Sequence, residues 1–164
     1  MTSRPKYSQL EIERRWLVDE RLLPDLTTLP VRLITDKYLS QGRLRLRKIA
    51  GGDEVQYKLC KKYGKCSEIS EPITNLYLTK EEYELLTVLP GRTLVRQRFT
   101  YLVHDVVFCI NVVVGKDVPI IVEAEFTSET EARECEPPPF CTEDVSGRAE
   151  YEAVWLTENQ PLVD

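Results

Sequence analysis

Five short stretches of the chain carry ionisable or polar side chains at every second position. Glu11, Glu13 and Arg15 do so in E-I-E-R-R-W-L-V, and Arg43, Arg45 and Arg47 alternate with Leu44 and Leu46. Gln56 and Lys58 alternate with Val55 and Tyr57, Arg96 and Arg98 flank Gln97, and Glu123 and Glu125 flank Ala124. In an extended strand successive side chains point to opposite faces, so each row shares one face. Like charges side by side repel unless a neighbouring strand interleaves opposite charge. Acids occupy the first and last rows and bases the rows between them. A dense array of bases suits a polyanion, above all phosphate, whose oxygens match the paired donors of arginine. Carboxylates beside phosphate need a mediator. Mg²⁺ or Mn²⁺ supplies one, because it takes oxygen ligands from carboxylates and substrate phosphates together.

The elements that must position these rows are mostly strands. Short runs rich in β-branched and aromatic residues, separated by turn residues, predict strands at Leu10–Val18, Arg32–Leu39, Leu44–Ile49 and Glu54–Leu59. Four more are predicted at Glu68–Ile73, Thr93–Val103, Val106–Val114 and Ile120–Phe126. Gly51-Gly52-Asp53, Tyr63-Gly64-Lys65 and Gly115-Lys116-Asp117 read as turns. Thr79 followed by Glu82 has capping-box spacing ahead of Tyr83, Leu85, Leu86 and Leu89, and Pro90-Gly91 ends that helix. Ser128 and Glu131 repeat the cap for a short helix that Pro137-Pro138-Pro139 must break, and a last helix is expected from about Arg148 to Leu156. Many meandering strands with few helices predict a mostly β fold, an antiparallel barrel or sandwich, in one domain spanning 1–164. A single charged row is ordinary for a sheet with one face in water. Closure of about eight strands into a barrel turns every row inward, around a bore wide enough for side chains or one small ligand.

Composition narrows the partners. The formal net charge is −5, which gives no reason to expect binding to nucleic acid or to an acidic membrane surface. The most apolar stretch, Val103 to Gly115, is too short and too polar to span a bilayer, and M-T-S-R-P-K-Y lacks the apolar run of a signal peptide. Five cysteines (Cys60, Cys66, Cys109, Cys135 and Cys141) form no Cys-x-x-Cys pair and read as reduced thiols of a cytoplasmic protein. With the lone His104 they supply a zinc site poorly. Tyr7, Trp16, Tyr38 and Trp155 read as core or surface aromatics rather than base-stacking platforms, and no P-loop motif is present.

E-I-E-R-R-W-L-V resembles the E-x-E-x-K signature of the CYTH superfamily, the triphosphate tunnel metalloenzymes. The resemblance continues through R-L-R-L-R-K with its following Y-K-L, I-T-N-L-Y-L-T-K-E-E-Y, V-R-Q-R-F and I-V-E-A-E-F, and ends at D-V-S-G-R-A-E-Y. It implies a closed antiparallel β-barrel tunnel of about eight strands with a few flanking helices. It also implies that Glu11, Glu13, Glu123 and Glu125 hold a divalent metal, Mg²⁺ or Mn²⁺. Arg45, Arg47, Lys58, Arg96 and Arg98 would grip a triphosphate, and Glu71 and Asn111 are further candidate metal ligands. Glu68 competes with Glu71, because a spacing of three keeps both from pointing inward. Two residues depart from the family pattern. Arg15 stands where the family has lysine and does not readily lose a proton; Asn111 stands where it usually has aspartate and adds no negative charge.

The function these residues imply is metal-dependent hydrolysis of a small-molecule triphosphate, with inorganic triphosphate the leading substrate. Glu11, Glu13, Arg15, Glu123 and Glu125 would form the catalytic group. A non-catalytic polyphosphate- or nucleotide-binding module and a class IV-type adenylate cyclase are the alternatives, and a homodimer is open.

Overall fold

The computed structural model describes residues 4–40 and 42–158. Eight strands form a closed antiparallel barrel: β1 (Gln9–Val18), β2 (Val31–Leu39), β3 (Leu44–Ala50), β4 (Gln56–Lys62), β5 (Ser70–Leu78), β6 (Gly91–Val103), β7 (Val106–Val113) and β8 (Ile121–Glu125). They run in the order β5-β4-β3-β2-β6-β7-β8-β1, and pairing of β1 with β5 closes the circle. A ninth strand, β9 (Cys141–Asp144), pairs with the far end of β1. Three short helices flank the wall: α1 (Lys80–Leu86), α2 (Glu129–Glu134) and α3 (Ala153–Glu158). Among the described residues no helix is long and apolar enough to cross a membrane.

Register makes the charged rows internal. Arg15 lies opposite Glu123 and Glu13 opposite Glu125; Asp36 lies opposite Arg47, and Arg98 opposite Asn111. Directly paired residues share a face, so these rows converge on the bore. The intervening residues face outward, and there they build the main hydrophobic core. Ile12, Trp16, Phe108, Ile110, Val122 and Ala124 are buried outside the wall, covered by Ala132 of α2 and by Phe140. Trp16 and Phe108 meet with ring centroids 5.9 Å apart, a contact worth about 0.5–1.5 kcal/mol beyond the area it buries. The apolar outer side holds the barrel closed, which leaves the inner side free to carry charge.

On the opposite side α1 covers the outer faces of β4 and β5, with the Tyr57 and Tyr83 rings in tilted contact, centroids 4.8 Å apart. Thr79 caps the helix as its spacing predicts, accepting from the Glu82 amide while the Glu82 carboxylate accepts from the Thr79 amide. Ser128 caps α2 by accepting from the Glu131 amide, while the Glu131 carboxylate accepts from the amide and hydroxyl of Thr127. The predicted glycine turns adopt left-handed backbone, with φ +105° at Gly51 and +110° at Gly64.

Three expectations shift. The fourth strand begins at Gln56 and runs on to Lys62, because its partners Arg45 and Leu44 continue the ladder. The fifth starts at Ser70 and reaches Leu78, leaving Glu68 in the bend before it. The last predicted helix divides into a 3₁₀ turn at Ala149–Tyr151 and α3, separated by an extended Glu152.

Candidate functional site

A cavity of about 330 Å³ occupies the bore, lined by eight basic and six acidic side chains. Each strand contributes through its inward parity. β1 delivers Glu11, Glu13 and Arg15; β8 delivers Glu123 and Glu125; β3 delivers Arg45 and Arg47; β6 delivers Arg96 and Arg98. β5 adds Glu71, opposite Glu11. Arg43 and Lys65 stand at the border, and Glu152 to Val154 close one side from the segment that starts α3. Tyr38 is the one aromatic ring among the lining residues.

Three acids are placed alike. Carboxylate oxygens of Glu11, Glu13 and Glu125 all lie within 4.8 Å of one another, a spacing that suits a shared hard cation. Burial pushes the Glu13 carboxyl up, and Glu123 and Glu11 add to the push against Arg15. Desolvation, helped by Glu11, likewise raises Glu125. Burial raises Glu11 too, but Lys62, with its Nζ 2.8 Å from Glu11 Oε2, outweighs it and holds the carboxyl below its ordinary value. Two acids with raised values beside a third are a negative cluster short of positive charge. Glu125 has no hydrogen-bond or ion-pair partner among the described residues.

Glu123 sits differently. Its Oε2 accepts from Arg98 at 2.8 Å and from the Asn111 amide at 3.1 Å, while Oε1 faces Arg15 at 3.5 Å and Arg96 at 3.9 Å. Burial opposes its charge, but Arg98, Arg15 and Arg96 outweigh burial and hold its carboxyl down at about 2. Asn111 is fully engaged: Oδ1 accepts from Arg98 at 2.9 Å, and Nδ2 donates to Cys109 O and Ile121 O as well as to Glu123. Both residues lie outside the three-carboxylate cluster. Glu71 lines the cavity, but its Oε1 accepts from the Gly64 amide at 2.9 Å and its Oε2 faces Lys62 at 3.5 Å. Glu68 is not among the lining residues of this cavity.

The bases are equally ordered. Arg15 donates from Nε to Glu13 at 2.8 Å, and Glu13 and Glu123 overcome the effect of burial and hold it charged. Lys58 shares the inward parity of Arg47, but its ammonium lies over the Tyr77 ring, 4.9 Å from the centroid, and does not line the cavity. Lys62, four residues on along β4, reaches the acids in its place. Alternation from Lys58 through Cys60 to Lys62 carries that signal once the strand is extended beyond Leu59. Asp36 of β2 is another residue that the rows did not mark, as are Lys65 and Glu152. Asp36 is fully buried and binds Arg47 and Arg96. His104 occupies the β6–β7 turn with φ 45°, away from the cavity, and all five cysteines are free.

No family model and no curated protein sequence matches the chain. Solved structures do. The inorganic triphosphatase NE1496 aligns at 27% identity over 92% of this chain and 96% of its own, with a TM-score of 0.60. The Pyrococcus horikoshii protein PH1819 aligns at 18% identity over 76% and 82% of the two chains, with a TM-score of 0.58. The Bacillus halodurans protein bh2851, provisionally an adenylate cyclase, aligns at 17% over 77% and 86%, with a TM-score of 0.53. With its closed antiparallel barrel and its bore of interleaved acids and bases, the chain carries the fold of the CYTH superfamily.

Proposed function

We propose that this protein is a divalent-metal-dependent hydrolase of short triphosphates and that inorganic tripolyphosphate is its substrate. The observation that supports this most is the lining itself, with eight bases, six acids and a single ring, Tyr38. Such a bore offers abundant contacts to phosphate oxygens and little to stack a nucleobase. The likeness to the triphosphatase NE1496 points the same way.

Glu11, Glu13 and Glu125 would hold Mg²⁺ or Mn²⁺, which supplies neutralisation of phosphate oxygens. Arg45, Arg96 and Arg98 would hold the phosphate chain, with Arg43 and Lys65 at the border. Glu123 and Asn111 would act on Arg98, fixing the guanidinium that meets the ligand. Positioning plus charge stabilisation is the larger part of phosphoryl-transfer catalysis, and this bore is built for both.

The test is phosphate release from tripolyphosphate with Mg²⁺ or Mn²⁺, beside ATP, GTP and thiamine triphosphate, with cyclic AMP measured in the ATP reaction. Release confined to tripolyphosphate is the expected result. Cyclic AMP without phosphate release would refute it in favour of a cyclase. A second reading, a non-catalytic polyphosphate-binding module, is favoured by Arg15, which Glu13 and Glu123 hold in its charged form and which cannot move a proton. Calorimetric binding of tripolyphosphate in Ca²⁺ with no turnover in any metal would establish that module.

A further inference from the structure

Asp36 lies at the centre of β2, opposite Arg47 on β3 and Leu94 on β6, and is fully buried. One carboxylate there meets three guanidiniums. Arg47 donates from Nε to Oδ1 at 2.6 Å and from Nη2 to Oδ2 at 2.8 Å; Arg96 donates from Nη2 to Oδ2 at 2.8 Å. Arg45 brings its Nε to 3.7 Å from Oδ1. The three arginines are not used equally. Arg47 commits two nitrogens to Asp36. Arg45 turns its Nε edge towards Asp36 at 3.7 Å, but that Nε is buried without a hydrogen bond, and no other nitrogen of this guanidinium is hydrogen-bonded among the described residues. Arg96 keeps a buried Nε with no hydrogen bond at all. Both Arg45 and Arg96 line the cavity.

An acid in an anion site lowers the attraction for the ligand, so its presence needs another reason. Three guanidiniums from neighbouring strands repel one another and would turn apart. Resting on the polyphosphate reading above, we infer that Asp36 is a positioning residue: it clamps Arg47 as an anchor and holds Arg45 and Arg96 with donors left open for a polyphosphate. Charge and position then make opposite predictions. Removing the carboxylate makes the bore more positive by one charge, which by charge alone tightens anion binding. Losing the clamp loosens it.

The experiment is D36N in the full chain, titrated with tripolyphosphate in Ca²⁺ by calorimetry. The expected result is binding weakened at least about tenfold, with KM raised more than kcat is lowered where turnover is measurable. Mn²⁺ affinity without phosphate should stay within about twofold of wild type, as expected when the Glu11, Glu13 and Glu125 cluster is intact. NMR of the arginine guanidinium N–H groups should show Arg47 and Arg96 ordered in the wild type and broadened in D36N, with Arg98 unchanged because Asn111 holds it. Where D36N fails to fold, D36N/R47Q removes the buried pair as a unit and should bind more weakly than R47Q alone. Equal or tighter tripolyphosphate binding by D36N, or by the double variant relative to R47Q, would overturn the inference. So would unchanged Arg47 and Arg96 signals, a result that decides the matter even if wild type binds no polyphosphate and the proposed function fails.

Discussion

Replacing Glu123 with glutamine changes no heavy-atom count and removes one negative charge at a point that Arg98, Arg15 and Arg96 approach to 2.8, 3.5 and 3.9 Å. Glu123 is buried, so solvent cannot take over its role. Removing one partner of a buried ion pair costs about 3–5 kcal/mol. The glutamine carbonyl can still accept from Arg98, which places the expected loss near the lower figure, about 3 kcal/mol. For a chain of this length each kcal/mol moves the melting temperature by about 2–4 °C, so E123Q should melt about 6–12 °C below wild type. Glu125 is the contrast. It has no partner among the described residues, and desolvation together with the neighbouring Glu11 and Glu123 charges disfavours its ionised form. E125Q should therefore keep or slightly raise the melting temperature, while Mn²⁺ binding weakens at least about tenfold, equivalent to about 1.4 kcal/mol. Circular-dichroism melts and Mn²⁺ calorimetry on the two variants read both quantities. An E123Q melting temperature equal to wild type, or an E125Q variant with unchanged Mn²⁺ affinity, would refute the division of roles between these two glutamates.

Other perturbations test other joints of the fold. Gly91 faces the β2 backbone so closely that a Cβ there would strike the Tyr38 carbonyl oxygen, so G91A should destabilise by about 1–3 kcal/mol in denaturant unfolding. The guanidiniums of Arg47, Arg45 and Arg96 outweigh burial and hold the Asp36 carboxyl well below its ordinary value of 3.8. A depressed carboxyl stabilises the fold fully above that value and progressively less as pH falls below it. Acid unfolding followed by fluorescence should accordingly steepen below about pH 4, and that part of the slope should vanish in D36N. Glu152 holds Lys65 at 3.0 Å and stands 4.0 Å from Arg15, so E152A should free border charge and tighten tripolyphosphate binding by a few-fold at low salt, an effect that salt should erase.

The alternation of Glu11, Glu13 and Arg15, of Arg45 and Arg47, and of Glu123 and Glu125 was enough to put each row on one strand face, because side-chain period in a strand is a local property. The caps at Thr79 and Ser128 were legible for the same reason, since each cap and its partner lie within three residues. Nothing local tells which face of a strand turns inward, nor which residue stands across from it. That was decided by closure of the barrel, which set Arg15 against Glu123 and left Glu11, Glu13 and Glu125 together. The same closure sent Lys58 to Tyr77 and brought in Lys62, and it placed Asp36, a lone acid in T-D-K-Y, beneath three arginines drawn from two other strands. Residue type and spacing therefore fixed what chemistry the chain can hold. Cross-strand register, a long-range property paid for by the apolar core outside the wall, decided which charges meet.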